Sequence, residues 1–394
     1  MSTAAAAPGR AAPGVGLHLV VLTAAKWVSN VGYRWPSVFL PTLQRAFGTS
    51  TGTLTTVMGV AELGGLSTSA TGHWLDRGHE RNLFVAGMCA VAAGSLIGLG
   101  GSTATFAIGF AAIVIGVGNL TVAGQTWVSH RYEFTARGRA IGVLETSWAL
   151  ALLIGAPVLA ALIDGSGWRA PFVAVALAAG LVTLAVLALV PADQPTAAVH
   201  RSDREALPRS AYLPMVSSAA TAAAGLGLLV VSGAWLDERH GVSTGGLGAI
   251  AALSGGIELV SSSGVALVAD RIGARRSVFA GLGVVAVGIA VMATSGDSRT
   301  AAVVGLLVFL FGFEYGFVSS LTVVTEAAPG ARGRAIGLSN AISTVARAAS
   351  VVMSGRLFDA FGLGGSLVWV GIAASVAVAC LALSRPAGRP GRPD

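Results

Sequence analysis

Apolar runs of bilayer-spanning length, separated by short polar clusters, recur from one end of the chain to the other. Leu83–Gly100 and Ser366–Leu383 each carry no charged residue over 18 positions, the length scale of a membrane helix. Twelve such runs can be drawn, near 17–40, 53–72, 83–100, 104–127, 141–163, 170–190, 212–236, 247–268, 277–295, 300–324, 336–358 and 366–384. A soluble core could not hide this much apolar sequence, because a globular helix keeps one polar face. Strands of a membrane barrel need only about 9–11 residues, so the runs predict helices. The expected fold is an all-α integral membrane protein of twelve spans.

The polar clusters repeat as well. Arg137–Gly142 and Arg332–Gly337 both read RGRAIG, 195 positions apart in a chain of 394. Asn119 pairs with Glu314, Glu145 with Asn340, and Asp164 with Asp359 at the same offset of 195, while Asp76-Arg77 recurs as Asp270-Arg271 at 194. A period this long is no solenoid. It predicts two homologous halves, 17–190 and 212–384, with residues 191–211 as the linker. Six spans per half make the repeat parallel. Residues 1–16 form an Ala/Gly/Pro arm expected to be disordered and not a cleavable signal, and 385–394 a short tail.

Charge then sets orientation. Only 11% of residues are charged and 54% are hydrophobic, against roughly 25% charged in a soluble domain. Seventeen arginines fall on the two termini and the even-numbered connections, and four on the odd-numbered ones. The positive-inside rule places both termini and the linker in the cytoplasm. That asymmetry accounts for the net charge of +7 without a nucleic-acid partner; the expected partners are the lipid bilayer, protons and a small-molecule substrate. Arginine in place of lysine, with abundant Ala and Gly, suggests a GC-rich bacterial genome and thus a bacterial plasma membrane. Cys89 and Cys380 fall inside spans and imply no disulfide framework. The protein is expected to be a monomer.

Twelve spans in two parallel halves, with Gly72-His-Trp-Leu-Asp76-Arg77 after span 2 and Asp270-Arg271-Ile-Gly273-Ala-Arg275 after span 8, resemble the major facilitator superfamily. The first copy departs from the second in a shortened and less basic loop. The resemblance implies that both motifs latch the cytoplasmic side in one conformation. Leu144-Glu145-Thr146-Ser147-Trp148 is similar to bacterial efflux permeases of the drug–proton antiporter kind. Of the span-5 helix motif of that group, Gly155, Pro157 and small residues remain, and span 4 lacks the group's arginine.

Ionisable residues inside spans cost at least about 2.5–3.5 kcal/mol each on insertion scales, so each needs a partner or a wet cavity. Lys26, Asn30 and Arg34 lie at i, i+4 and i+8, on one stripe of span 1, expected to face a central cavity. Glu62, Glu258, Glu314 and Arg347 fall near the middle of their spans, and Glu145 about one turn inside the cytoplasmic face. Glu62 and Glu258 are either proton sites or partners of Lys26 and Arg347. Glu314, opposite the neutral Asn119 in the repeat, has the strongest claim to protonation, and Asp164 and Asp359 read as structural. Trp168, Trp235 and Phe361 are expected at the interfaces, and Trp27, Tyr33, Trp35 and Trp148 at the cavity. Gly116 with Gly118 and Gly225 with Gly227 are expected at close helix contacts.

The chain holds no HExxH, no Cys–His cluster and no nucleotide-binding glycine loop, so it reads as a secondary transporter rather than an enzyme, with no cofactor and no metal. Proton-coupled efflux of an amphipathic compound by alternating access is the leading expectation. The alternative is uptake of a small organic anion bound by Lys26 and Arg34.

Overall fold

The computed structural model describes residues 15–193 and 206–384, with side chains for all of these except Val15, Phe134 and 263–270. The N-terminal arm, the centre of the linker, the tail and the side chain of Asp270 lie outside the described residues. Among those described there are helices and no strands. Twelve helices cross: α1 (Val15–Val38), α2 (51–75), α3 (Glu80–Gly98), α4 (Thr103–Arg131), α5 (134–166), α6 (Ala170–Leu189), α7 (Tyr212–His240), α8 (Thr244–Ile272), α9 (Ala274–Ala293), α10 (Arg299–Glu326), α11 (332–361) and α12 (363–383).

Helices α11 and α12 run on except at Gly362, whose φ of 63° turns the chain between them. That left-handed conformation is open to glycine at no steric cost. Helix α2 narrows to a 3-10 turn at Leu63–Ser67. Helix α5 widens to a π turn at Ala151–Gly155, immediately before Pro157. Proline lacks an N–H and its ring crowds the carbonyl four residues back, so a wide turn there relieves the clash. The expected span-5 motif is therefore a built-in bend. Residues 40–47 form a short amphipathic helix outside α1, capped by Gly48.

Within the first half α1 packs on α4, α5 and α6, and α3 on α4; in the second α7 packs on α11 and α12, and α9 on α10. Gly116 meets the backbone of Gly87, Gly225 the ring of Phe313 and Gly227 the hydroxyl of Ser350, as small residues at helix interfaces should. Helix α7 is the most enclosed span, with 83% of its window buried. Outward faces are covered with exposed Leu, Ile and Val, such as Leu177, Leu181 and Leu184 on α6. Two of the aromatics are packed inside: Trp235 is buried and packs on His240, and Trp35 is buried against Phe172. Phe361, by contrast, is 72% exposed at the outer bend.

The halves meet along α2–α11 and α5–α8, where glycine lets backbones touch. A Cβ on Gly59 would lie 2.7 Å from the Ala348 carbonyl, and one on Gly255 2.6 Å from that of Ala149. These contacts run from the arginine-poor (outer) end to about the depth of Gly65 and Thr344. Inward of that, Leu66, Trp74, Ile336 and Asn340 are exposed. Among the described residues the halves are in contact on the outer side and part towards the arginine-rich inner end.

Candidate functional site

The polar stripe of α1 is buried along its length, with Lys26, Asn30 and Arg34 exposed by only 2%, 1% and 8%. Each rung has its own partner. Lys26 Nζ lies 2.6 Å from Glu145 Oε2 on α5, and Gln125 Nε2 on α4 donates to the other oxygen at 3.0 Å. Asn30 Nδ2 donates to Ser147 Oγ at 3.1 Å. Arg34 donates through both Nη atoms to Glu258 on α8, at 2.7 and 2.5 Å. The same guanidinium bonds the Trp148 carbonyl at 2.9 Å and lies 4.2 Å from the Trp148 ring centroid. The fork of arginine suits this bidentate pairing.

These pairings differ from the expected ones. Glu145 takes Lys26, and Glu258 takes Arg34 rather than Lys26. Glu145 stands eleven residues into α5, which begins at Phe134, and reaches Lys26 on α1. Glu62 and Arg347 do approach, with Nε 3.5 Å from Oε2, while Tyr33 Oη donates to Glu62 Oε1 at 2.5 Å. Glu314 is 8% exposed on α10; its charged neighbours are Glu258 and Arg34, and among the described residues it forms no ion pair. Arg34 separates two small cavities of about 70 and 60 Å³, room for a few waters. Asn119 stands apart: Thr71 donates to its carbonyl, and its amide reaches Ser67 and Ile115, tying α2 to α4.

Arg34–Glu258 and Glu62–Arg347 both bridge the halves, so the membrane charges are also part of the outer closure. Nearer the surface, Asp359 on α11 accepts the Gly52 backbone N–H at 2.9 Å, in the first turn of α2. Its repeat mate Asp164 on α5 points at the first turn of α8, where a Cβ on Gly245 would lie 3.6 Å from Oδ2. A carboxylate at a helix N-terminus is favoured by unpaired N–H groups and the helix dipole. Arg356 Nε donates to Thr56 at 3.0 Å, and exposed Arg45 pairs with Asp237 at 2.7 Å.

At the inner end Gly72, Asp76 and Arg77 close α2, with Asp76 and Arg77 exposed; Arg271 and Gly273, with φ of 86°, close α8. The first connection is not shortened: residues 76–79 separate α2 from α3, whereas Gly273 alone separates α8 from α9. Nor has it lost its cap. Arg81 donates to the Leu187 carbonyl at 2.5 Å and Arg275 to that of Leu381 at 2.5 Å, so both copies staple the last carbonyls of the sixth helix in their half. Asp193 caps α3 through the N–H groups of Arg81 and Asn82, and buried Glu80 meets His130 and Arg131.

The polar partners that sequence reasoning did not single out are Gln125, Ser147 and Thr56, whereas Tyr33, expected at the cavity, lines one of the two beside Arg34. Nothing in their spacing singles them out, because each is paired across helices. Among the described residues no three His, Cys, Asp or Glu side chains gather as metal ligands.

Known structures share this architecture. A bacterial homologue of the human lysosomal transporter Spinster, inward-facing and unoccupied, superposes with a TM-score of 0.75 at 15% identity, covering 95% of both chains. A D-xylose–proton symporter gives 0.76 at 16% identity over 94% of this chain and 98% of that one. The human organic anion transporter MFSD10 gives 0.67 at 16% identity over 93% and 98%. No curated protein matches the sequence. The family model of the Major Facilitator Superfamily matches residues 22–351. Twelve helices in two parallel halves, with buried charges where the halves meet, thus belong to a multi-pass membrane transporter rather than an enzyme, and the chain belongs to the Major Facilitator Superfamily.

Proposed function

We propose that the protein exports a small amphipathic compound in exchange for protons, by alternating access between its two halves. The state of the two cations on α1 carries this reading. An importer of organic anions needs a basic group free to receive a carboxylate, yet Lys26 and Arg34 are both buried and held by Glu145 and Glu258. The most exposed of the paired membrane charges is a carboxylate, Glu145, whose side chain is 41% exposed.

Glu314 is the proton site in this reading. It lies beside the Arg34–Glu258 pair that closes the outer side, so adding or removing its charge acts directly on that closure. Opening outward parts Arg34 from Glu258, and Asp76 and Asp270 then latch the inner ends. The test is proton movement in inverted membrane vesicles under an imposed pH gradient, with a panel of amphipathic compounds. Dissipation of the gradient by a compound with wild-type protein, and its loss in Glu314→Gln, supports antiport. Accumulation of an organic anion in right-side-out vesicles, with no proton release in the first assay, overturns it.

A further inference from the structure

Lys26 is the only lysine in a chain that carries 24 arginines. The two residues are not equivalent in a membrane interior. A buried guanidinium keeps its proton, whereas a buried ammonium gives it up readily when its partner is lost. Lys26 has one such partner. Among the described residues its Nζ makes no hydrogen bond apart from Glu145 at 2.6 Å, and Glu145 is the one charged group acting on it. The polar groups around the pair are otherwise engaged. Gln125 from α4 bonds Glu145, Asn30 bonds Ser147, and the Trp27 indole bonds the Leu150 carbonyl at 3.0 Å.

The pair is also lopsided. Lys26 is 2% exposed, whereas its partner's side chain is 41% exposed. A solute can therefore reach the carboxylate but not the ammonium. An anion there is repelled by Glu145, and a neutral compound leaves the ion pair alone. A cation competes for Glu145 and leaves the buried ammonium without its counter-ion, a state far costlier than the neutral amine.

We propose that Glu145 is the docking carboxylate for a cationic amphipath, and that the cargo's positive charge displaces Lys26, which releases its proton to the inner cavity. The reading rests on proton-coupled export, names its cargo class and adds Lys26 to Glu314 as a second group that exchanges a proton. In balance, one cation and the Lys26 ammonium–Glu145 carboxylate pair become a cation–Glu145 pair, a neutral Lys26 amine and one aqueous proton. No covalent bond other than the amine's N–H breaks, and the net charge of the site is unchanged. On the outer side the reverse step reloads Lys26 as the cargo leaves.

The test uses the purified full chain in lipid nanodiscs and two probes of like shape and opposite charge, tetraphenylphosphonium and tetraphenylborate. The phosphonium should bind and the borate should not. Phosphonium affinity should rise with pH by up to about tenfold per unit, the slope of one displaced proton. Glu145→Gln should lose this binding at least tenfold and Glu145→Asp should retain it, while Lys26→Met should bind more tightly with no pH dependence. Protein labelled with carbon-13 at lysine Cε gives one lysine resonance, and phosphonium should move it to the neutral-amine position without any mutation. Equal binding of borate, phosphonium binding that is absent or flat in pH, or an unmoved lysine resonance overturns the proposal. If the phosphonium behaves as stated yet moves no protons in vesicles, the docking site stands and the export reading falls. If vesicles export neutral or anionic compounds against protons while the resonance stays fixed, export stands and this site falls.

Discussion

Replacing Glu258 by glutamine should swing the protein towards an outward-open state. In the closed arrangement Arg34 is 8% exposed and donates two hydrogen bonds to Glu258, itself 2% exposed. Removing one member of a buried pair costs about 3–5 kcal/mol, because the remaining charge stays buried without its counter-ion. The lower figure applies, since the glutamine carbonyl still accepts one bond and Trp148 another. The penalty falls on one state only, because parting the halves hydrates Arg34. About 3 kcal/mol is two powers of ten in the ratio of states, enough to turn a 99:1 preference into near equality. Spin labels at Ser166 and Thr300, exposed at the outer ends of α5 and α10, on a background without Cys89 and Cys380, report the separation by pulsed dipolar spectroscopy. The variant should gain a longer distance population. The double variant Arg34→Met, Glu258→Leu should lose it again, because neither member of the pair is then left buried without the other. An unchanged distribution in Glu258→Gln, or a double variant as open as the single one, would refute the reasoning.

Other perturbations have equally direct readouts. Gly59→Leu places carbon where the Val352 side chain and the Ala348 carbonyl stand 2.6 and 2.7 Å away, so the same label pair should separate and the overpacking should cost about 1–3 kcal/mol of the closed state. Asp359→Asn weakens the contact with the first turn of α2 and should open the outer side more modestly, by about 0.3–1 kcal/mol, less at high salt; no salt dependence would count against a dipole contact. Arg81→Met and Arg275→Met each unstaple a helix end. Both should lower the thermal midpoint by similar amounts, for about 1 kcal/mol each at these partly exposed positions, and should leave the outer labels unmoved. Asp193→Ala removes the cap of α3 and should cost about 1 kcal/mol in the same melt.

Much of the architecture was legible along the chain. In lipid a backbone must satisfy its own hydrogen bonds, so uncharged runs of sufficient length become helices. Duplication kept RGRAIG in register, and that register revealed the two halves. The ends were less legible. Helix α5 begins at Phe134, seven residues before the apolar run expected from 141, because it continues past the membrane's apolar zone.

Partner choice belongs to the tertiary structure. The stripe Lys26, Asn30, Arg34 follows from helical periodicity, as does the need of each buried charge for a counter-ion. Periodicity runs along one helix, however, and the counter-ions lie on others: Glu145 is 119 positions from Lys26 and Glu258 is 224 from Arg34. Which carboxylate faces which cation depends on how α1 is rotated against α5 and α8. Close packing at Gly155, Gly248 and Gly255 sets that rotation, and no pattern of apolar and polar positions encodes it. Sequence alone therefore determined the helices, their repeat, their orientation and the list of costly charges; only the packed structure decided which of those charges join the halves and which one is left half exposed.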